Sequence, residues 1–220
     1  MTPGSARGAR RCAAAGKTAS LRAMKNLITC ALVLAAPLFG SALQAQNAAP
    51  ALTFPQPSPA ASVTQRVGLT DIEVKYSRPG AKGRVIFGGL VPFGEVWRTG
   101  ANAATKITFS TEVSFGGQVV PAGTYALATI PEQREWTVIL NKNTEMWGSY
   151  AYDAAQDVVR VKAPVMALTE PLESFTIGID EVHADSAQLT LSWEKTTVHV
   201  PIEVDVVGQL VPTSRPPRPT

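Results

Sequence analysis

Residues 113–120 read Val-Ser-Phe-Gly-Gly-Gln-Val-Val, and this octapeptide is the clearest indication of a β-hairpin in the chain. Two short apolar-rich runs flank Gly116 and Gly117. A Gly-Gly pair suits the tightest β-hairpins, because the central residues of their turns need a positive φ that glycine adopts without strain. The octapeptide therefore predicts two antiparallel strands joined by a two-residue turn.

Alternation of apolar and polar residues continues on both sides of this hairpin. Ile72, Val74 and Tyr76, for example, alternate with Glu73 and Lys75. Further strands are predicted over residues 105–109, 124–130, 136–140, 158–161, 174–179, 187–193 and 197–206. One apolar and one polar face on each strand is typical of antiparallel sheets. We therefore predict an all-β fold, a single antiparallel β-sandwich of about nine or ten strands over residues 60–208, with one helical turn near 151–156.

The first 45 residues are predicted to form a leader that is removed. Met24-Lys-Asn precedes an apolar run over 27–39, and small residues follow, which is the order of parts in a secretory signal peptide. The run is too short to span a bilayer of roughly 30 Å as a helix. We expect translation to start at Met24 and cleavage to follow Ala42 or Ala45. The product would be periplasmic or secreted, with no membrane span after leader removal.

The leader also dominates the charge of the chain. The whole sequence carries a net charge of +3, but the leader holds six of its 20 basic residues and none of its 17 acidic ones. The remainder has 14 basic and 17 acidic residues, a net of −3, so we predict no nucleic-acid partner. Cys12 and Cys30, the two cysteines, both fall in the leader. A Pro/Ala-rich linker is predicted over 46–59 and a disordered tail over 209–220.

A cationic, glycine-rich segment over residues 76–109 is the main candidate for function. It concentrates five basic residues around a single acid, Glu95. Like charges at this density repel one another unless an anion offsets them, which favours a surface that faces a ligand. The alternative is structural: Trp97 packs in the core, Arg98 pairs with an acid and Asn102 bonds its own backbone in a turn. Strand alternation predicts that Trp97 and Arg98 point to opposite faces.

Aromatic residues form a second group, after the turn at 141–143. Aromatic rings of this kind stack on sugar rings or, equally often, cover one end of a β-sandwich core. The predicted ligand-binding residues are Arg78, Lys82, Arg84, Trp97, Arg98, Asn102, Lys106, Trp147 and Tyr150.

Motifs for catalysis are absent from the sequence. It contains no Gly-x-Ser-x-Gly elbow, P-loop or Gly-x-Gly-x-x-Gly fingerprint. His183 and His199 are each predicted to be isolated and exposed, so we expect no metal site. Glu95 and Asp153 would be the candidate acid pair of a glycosidase, but two solvated surface acids explain them as well. We assign no catalytic residue and no cofactor, and the sequence favours a protein that is not an enzyme.

Several motifs, in order, resemble one family of secreted bacterial proteins, the domain-of-unknown-function family 2911. The motifs are Val67-Gly-Leu-Thr-Asp71, Tyr76-Ser-Arg-Pro79, Lys82-Gly-Arg84, Phe87-Gly-Gly-Leu-Val-Pro-Phe-Gly94, Val96-Trp-Arg-Thr-Gly-Ala-Asn102 and Pro121-Ala-Gly-Thr-Tyr125. The resemblance covers most of residues 58–206. It implies an exported, mainly β domain of bacteria with two membranes, and it implies no activity.

Three functional hypotheses follow. The first is a binding module for a small anionic or carbohydrate ligand, with arginines for charge and tryptophans for apolar contact. The second is a structural or assembly partner in the cell envelope that binds protein through the glycine-rich segment. The third is an enzyme acting on glycans or esters, for which no motif is present.

Overall fold

The structure, a computed structural model, describes residues 54–210, which belong to one compact unit. The elements are β1 Ala60–Val67, β2 Thr70–Ser77, β3 Thr105–Phe109, β4 Val113–Phe115, β5 Gln118–Val120, β6 Gly123–Ile130, β7 Glu135–Asn141, a short 3-10 helix Ala154–Gln156, β8 Asp157–Asp180, β9 Ser186–Val204 and α1 Val206–Leu210. The predicted leader and most of the predicted linker and tail lie outside the described residues. No helix in the described part is long and apolar enough to cross a membrane.

The nine strands form one antiparallel sheet in the order β1-β2-β3-β6-β7-β8-β9-β4-β5. The prediction of an all-β antiparallel fold is therefore confirmed. Phe115 pairs with Gln118 across Gly116 and Gly117, which is the hairpin that the octapeptide predicts. Both glycines have positive φ, of 57° and 81°.

Two parts of this sheet face each other as the layers of a sandwich do. The backbone N–H of Ile177 in β8 donates to the Tyr76 hydroxyl in β2 at 3.0 Å. The rings of Phe109 in β3 and Phe115 in β4 lie 6.2 Å apart. Neither pair of strands is adjacent in the sheet, so these contacts cross the core between the two layers.

The last four predicted strands are in fact two long ones, so their predicted bounds are wrong, although the total of nine strands agrees with the predicted nine or ten. β8 has 24 residues and β9 has 19. β8 pairs with β7 as far as Pro164 and with β9 from Val165 onward. Its register with β9 shifts between Ala167 and Thr176, and such bulges bend a strand. Exposed residues at this bend interrupt the alternation of buried and exposed positions. The sequence pattern therefore predicts two short strands where the structure has one long strand.

An aromatic cluster fills the core beneath the glycine-rich segment. Its members are Phe87, Trp97, Trp136, Phe175 and Trp193, and neighbouring ring centroids lie 4.8–6.3 Å apart. Burial of large aromatic rings is the main source of stability in a core of this size. Phe87 and Trp97 belong to the glycine-rich segment, so the cluster attaches that segment to the core.

Candidate ligand-binding cleft

The turn that follows Trp97 is fixed to strand β6. Trp97 and Thr129 exchange two backbone hydrogen bonds, of 2.7 and 2.8 Å. The Trp97 side chain is 8% exposed and lies in the core, as the core alternative expects. Its indole N–H donates to the Gly100 carbonyl at 3.1 Å. The following residue, Arg98, is only half-buried.

Backbone strain is stored at Thr99. Its φ is +54° although it is fully buried, and a β-branched residue rarely adopts the left-handed region. Such a residue costs on the order of 1–3 kcal/mol and persists only where its surroundings hold it. Here the Thr99 hydroxyl donates to that of Thr129 at 3.1 Å, and the Thr99 carbonyl accepts from the Thr105 hydroxyl at 2.6 Å. These contacts fix the direction in which Arg98 leaves the backbone.

Arg98 lines a cleft of about 260 Å³. The residues that line it are Ser58, Pro79, Arg84, Leu90, Val91, Trp97, Arg98, Gly100, Ala101 and Trp193. Two of these residues are arginines and none is acidic. The cleft therefore has a positive charge that no lining residue neutralises.

A second, more open depression of about 490 Å³ lies beside Phe93. It is lined by Glu132 and Arg134 together, so its lining carries no net charge. It contains none of the predicted ligand-binding residues. The cleft at Arg98 is therefore the better candidate site, despite its smaller volume.

The guanidinium of Arg98 is the least satisfied polar group of this cleft. Its Nε atom is buried and has no hydrogen-bond partner. No carboxylate of residues 54–210 lies within ion-pairing distance of it. A buried donor without a partner costs about 1–3 kcal/mol.

Arg84, the second arginine of the cleft, is held by the backbone of its own segment. Its Nε donates to the Ala81 carbonyl at 3.0 Å, and its Nη2 donates to the Gly80 carbonyl at 2.6 Å. These bonds fix the orientation of the guanidinium. Arg84 therefore adds positive charge to the cleft, while one edge of its donor fork is already occupied.

The two other basic residues of the same loop do not line the cleft. Arg78 donates from Nε to the Phe175 carbonyl at 3.1 Å and from Nη2 to the Thr176 hydroxyl at 2.7 Å. It therefore attaches the loop to β8. Lys82 is exposed, has a φ of +52°, and donates its backbone N–H to Glu173 at 2.8 Å.

Asn102 holds one wall of the cleft in place. Its amide Nδ2 donates to the Ser58 carbonyl and to the Ser77 hydroxyl, each at 3.2 Å. Its φ of +60° is one that asparagine tolerates better than most residues. Ser58 lines the cleft, so Asn102 acts on the site through the segment that leads into β1.

Lys106, Trp147 and Tyr150 belong to a separate surface. The Lys106 ammonium pairs with Glu145 at 2.7 Å. Trp147 bridges to Ala103 through its backbone, while its side chain is 67% exposed and that of Tyr150 is 78% exposed. None of the three lines the cleft. The predicted ligand-binding residues are thus divided between the lining of the cleft, the residues that hold that lining in place, and the surface around the loop that follows β7.

A polar network that the sequence pattern does not indicate anchors this loop. Asp157 accepts from Asn141 Nδ2 at 2.7 Å, from the Tyr152 hydroxyl at 2.6 Å and from Arg160 Nε at 2.7 Å. Burial, together with the neighbouring Asp157 carboxylate, raises the pKa of Tyr152 to about 12. Asn141 and Asp157 of this network lie at opposite ends of the loop between β7 and β8, and the pairing of these two strands brings them together.

The candidate acid pair does not converge on the cleft. Glu95 is exposed and is not among the lining residues. Asp153 begins the 3-10 helix, where the backbone N–H of Ala155 donates to its carboxylate at 2.9 Å and lowers its pKa. Sequence reasoning also missed Trp193 and Leu90 as lining residues, since neither stands out from the apolar positions around it.

Fold and site together define a small all-β protein with a cationic cleft above an aromatic core. The chain belongs to the family described as "Protein of unknown function (DUF2911)", whose model matches residues 58–202. The family resemblance of the sequence motifs is thereby confirmed. Comparisons with curated proteins and with solved structures found no match.

Proposed function

We propose that this protein is an exported binding module, periplasmic or secreted, for a small anionic or carbohydrate ligand. The cleft beside Arg98 is the proposed site. The observation that carries the proposal is the buried, unpartnered Nε of Arg98 in a cleft lined by two arginines and no acid. Because natural proteins satisfy nearly all buried polar groups, an orphan of this kind calls for an explanation.

Preorganisation supports the same proposal. Thr99 is held in a strained conformation, and Arg84 is fixed by two carbonyls. Binding is tighter where the protein loses little conformational freedom as the ligand arrives. Strained residues tend to cluster at ligand sites for this reason.

A thermal-shift screen tests the proposal. The purified protein is heated with sugars, uronic acids and phosphates in turn. A ligand at 100 times its Kd should stabilise the folded state by about 2.7 kcal/mol. The substitution Arg98→Met should abolish the shift, while Arg66→Met should retain it, because Arg66 pairs with Asp71 on the surface. A flat screen, or a shift unchanged in Arg98→Met, would refute the proposed site.

The alternative function, a structural or assembly partner in the cell envelope, has one observation in its favour. The glycine-rich segment exposes three large apolar side chains: Val85 at 72%, Leu90 at 49% and Phe93 at 38%. Neighbouring exposed apolar residues are typical of protein-binding surfaces. Replacing Val85 and Phe93 by serine should leave the ligand-induced shift intact if the first proposal holds. Loss of co-purification of one envelope protein from this variant, combined with a flat ligand screen, would favour the alternative.

A further inference from the structure

We infer that the cleft selects a small carboxylate whose body is apolar and about one ring in size, in preference to a sugar or a phosphate. This inference rests on the proposed function, because it specifies the ligand class of the same site. Three features of the cleft carry it: the donors that remain free, the chemistry of the wall and the volume.

The free donors match a carboxylate. In arginine, Nε–H and one Nη–H point in parallel and meet the two oxygens of a planar carboxylate. Within the described residues this edge of Arg98 bonds to no protein atom, and its Nε is buried. The corresponding edge of Arg84 is occupied by the carbonyls of Ala81 and Gly80. Of the two arginines that line the cleft, Arg98 is thus the one whose Nε edge has no protein partner, and Arg84 places a second positive charge nearby.

Phosphate fits these donors less well than carboxylate does. A phosphate carries at least three oxygens that each accept hydrogen bonds, and its sites usually supply several arginines or a row of backbone N–H groups. Beside the Arg98 fork, the cleft offers only the remaining donors of Arg84 as charged donors. One carboxylate is satisfied by this arrangement, whereas a phosphate keeps oxygens without charged partners.

Part of the cleft's lining is apolar in its chemistry as well as in its composition. Both indole N–H groups that line it are already used: Trp97 donates to the Gly100 carbonyl at 3.1 Å, and Trp193 donates to the Glu173 carbonyl at 3.2 Å. Leu90 and Val91 complete the wall with carbon atoms. Hydroxyl groups of a sugar ring that face these carbon atoms would lose water without gaining partners, which costs free energy.

The volume limits the size of the apolar body. Sites for drug-sized ligands occupy roughly 300–1,000 Å³, and this cleft measures about 260 Å³. A carboxylate attached to a single ring, or to a branched alkyl group of similar size, fits within such a space. A disaccharide or a nucleotide exceeds it.

Isothermal titration of the purified full chain with benzoate tests the inference. Benzamide has the same ring without the charge, and acetate has the charge without the ring. We expect benzoate to bind about tenfold or more tightly than either, since each control lacks one of the two recognised groups. Glucuronate and inorganic phosphate, titrated up to about 10 mM, represent the competing ligand classes.

Two substitutions connect the binding to the proposed contacts. Arg98→Lys keeps the charge and removes the fork, so benzoate affinity should fall about tenfold. Arg134→Lys, in the other depression, should leave it unchanged. A melting curve of each variant establishes that it is folded before it is titrated.

The outcomes separate this inference from the proposed function. If glucuronate or phosphate binds more tightly than benzoate and loses affinity in Arg98→Lys, the inference is wrong and the proposed function stands. If benzoate binds equally well to Arg98→Lys, the inference is also wrong. If no probe binds at all, the inference is wrong, and the thermal-shift screen decides separately whether the proposed function stands.

Discussion

Replacing Arg98 by methionine should stabilise the protein while it destroys binding. The Nε of Arg98 is buried without a partner, and an orphaned donor costs about 1–3 kcal/mol. Methionine retains the apolar stem that arginine packs along a surface and removes both the orphaned donor and the repulsion from Arg84. We expect the free energy of unfolding to rise by about 1 kcal/mol, which corresponds to a Tm rise of about 2–4 °C for a domain of this size.

Urea unfolding of the wild type and of Arg98→Met, followed by tryptophan fluorescence, measures this change. The matched control is Arg78→Met, because Arg78 donates two hydrogen bonds to β8. That control should lose about 2 kcal/mol, since both acceptors lose a charged donor. The two arginines lie in the same cationic segment and should therefore respond with opposite sign.

One result would refute this reasoning directly. A loss of about 3 kcal/mol or more in Arg98→Met is the signature of a broken, buried ion pair. Arg98 would then be a structural residue, and the cleft would lose its main claim to a ligand. A gain in stability accompanied by loss of binding is the trade-off expected where a site keeps a destabilised group for function.

Three further predictions concern the scaffold. Gly116→Ala should cost more stability than Gly117→Ala in urea unfolding. Both glycines have positive φ, so both substitutions strain the backbone, but only a Cβ at Gly116 would overlap the side chain of Val161. Equal losses of stability would contradict this packing. Phe175→Ala should cost about 3–5 kcal/mol, since this ring is fully buried, and a loss below about 1 kcal/mol would show that the core closes around the gap. The free energy of unfolding should fall as pH rises from 10 towards 12, because the unfolded chain releases the Tyr152 proton at pH about 10 and the folded chain retains it to about 12. In Tyr152→Phe the plot of unfolding free energy against pH should be flatter over this range. A plot that is unchanged in this variant would refute the raised pKa.

Much of the fold follows from local sequence rules. The Gly116-Gly117 pair predicts its turn because the backbone conformation of two residues is a local property. The alternation of Ile72, Val74 and Tyr76 predicts a half-buried strand because successive side chains leave a strand on opposite faces. The same rule predicts that Trp97 and Arg98 point to opposite faces; Trp97 lies in the core, and Arg98 is half-buried.

The long strands show where these local rules end. Residues 158–161 and 174–179 belong to one strand because β8 changes partner from β7 to β9 while its backbone continues through a bend. The alternation of apolar and polar residues is interrupted at this bend, and nothing in the local sequence distinguishes a bend from a loop. Only the pairing with two different neighbours decides between them.

The order of amino acids makes certain residues available for a site, whereas their packing in three dimensions assigns each of them its role. Arg78 donates to β8, Lys106 pairs with Glu145, and Arg98 keeps a buried donor that has no partner in the described part of the chain. Trp193 joins the cleft from β9, nearly a hundred residues beyond Arg98 in the chain. The physical reason is that the charge and direction of a side chain are local properties, whereas its partners depend on which distant strand packs beside it.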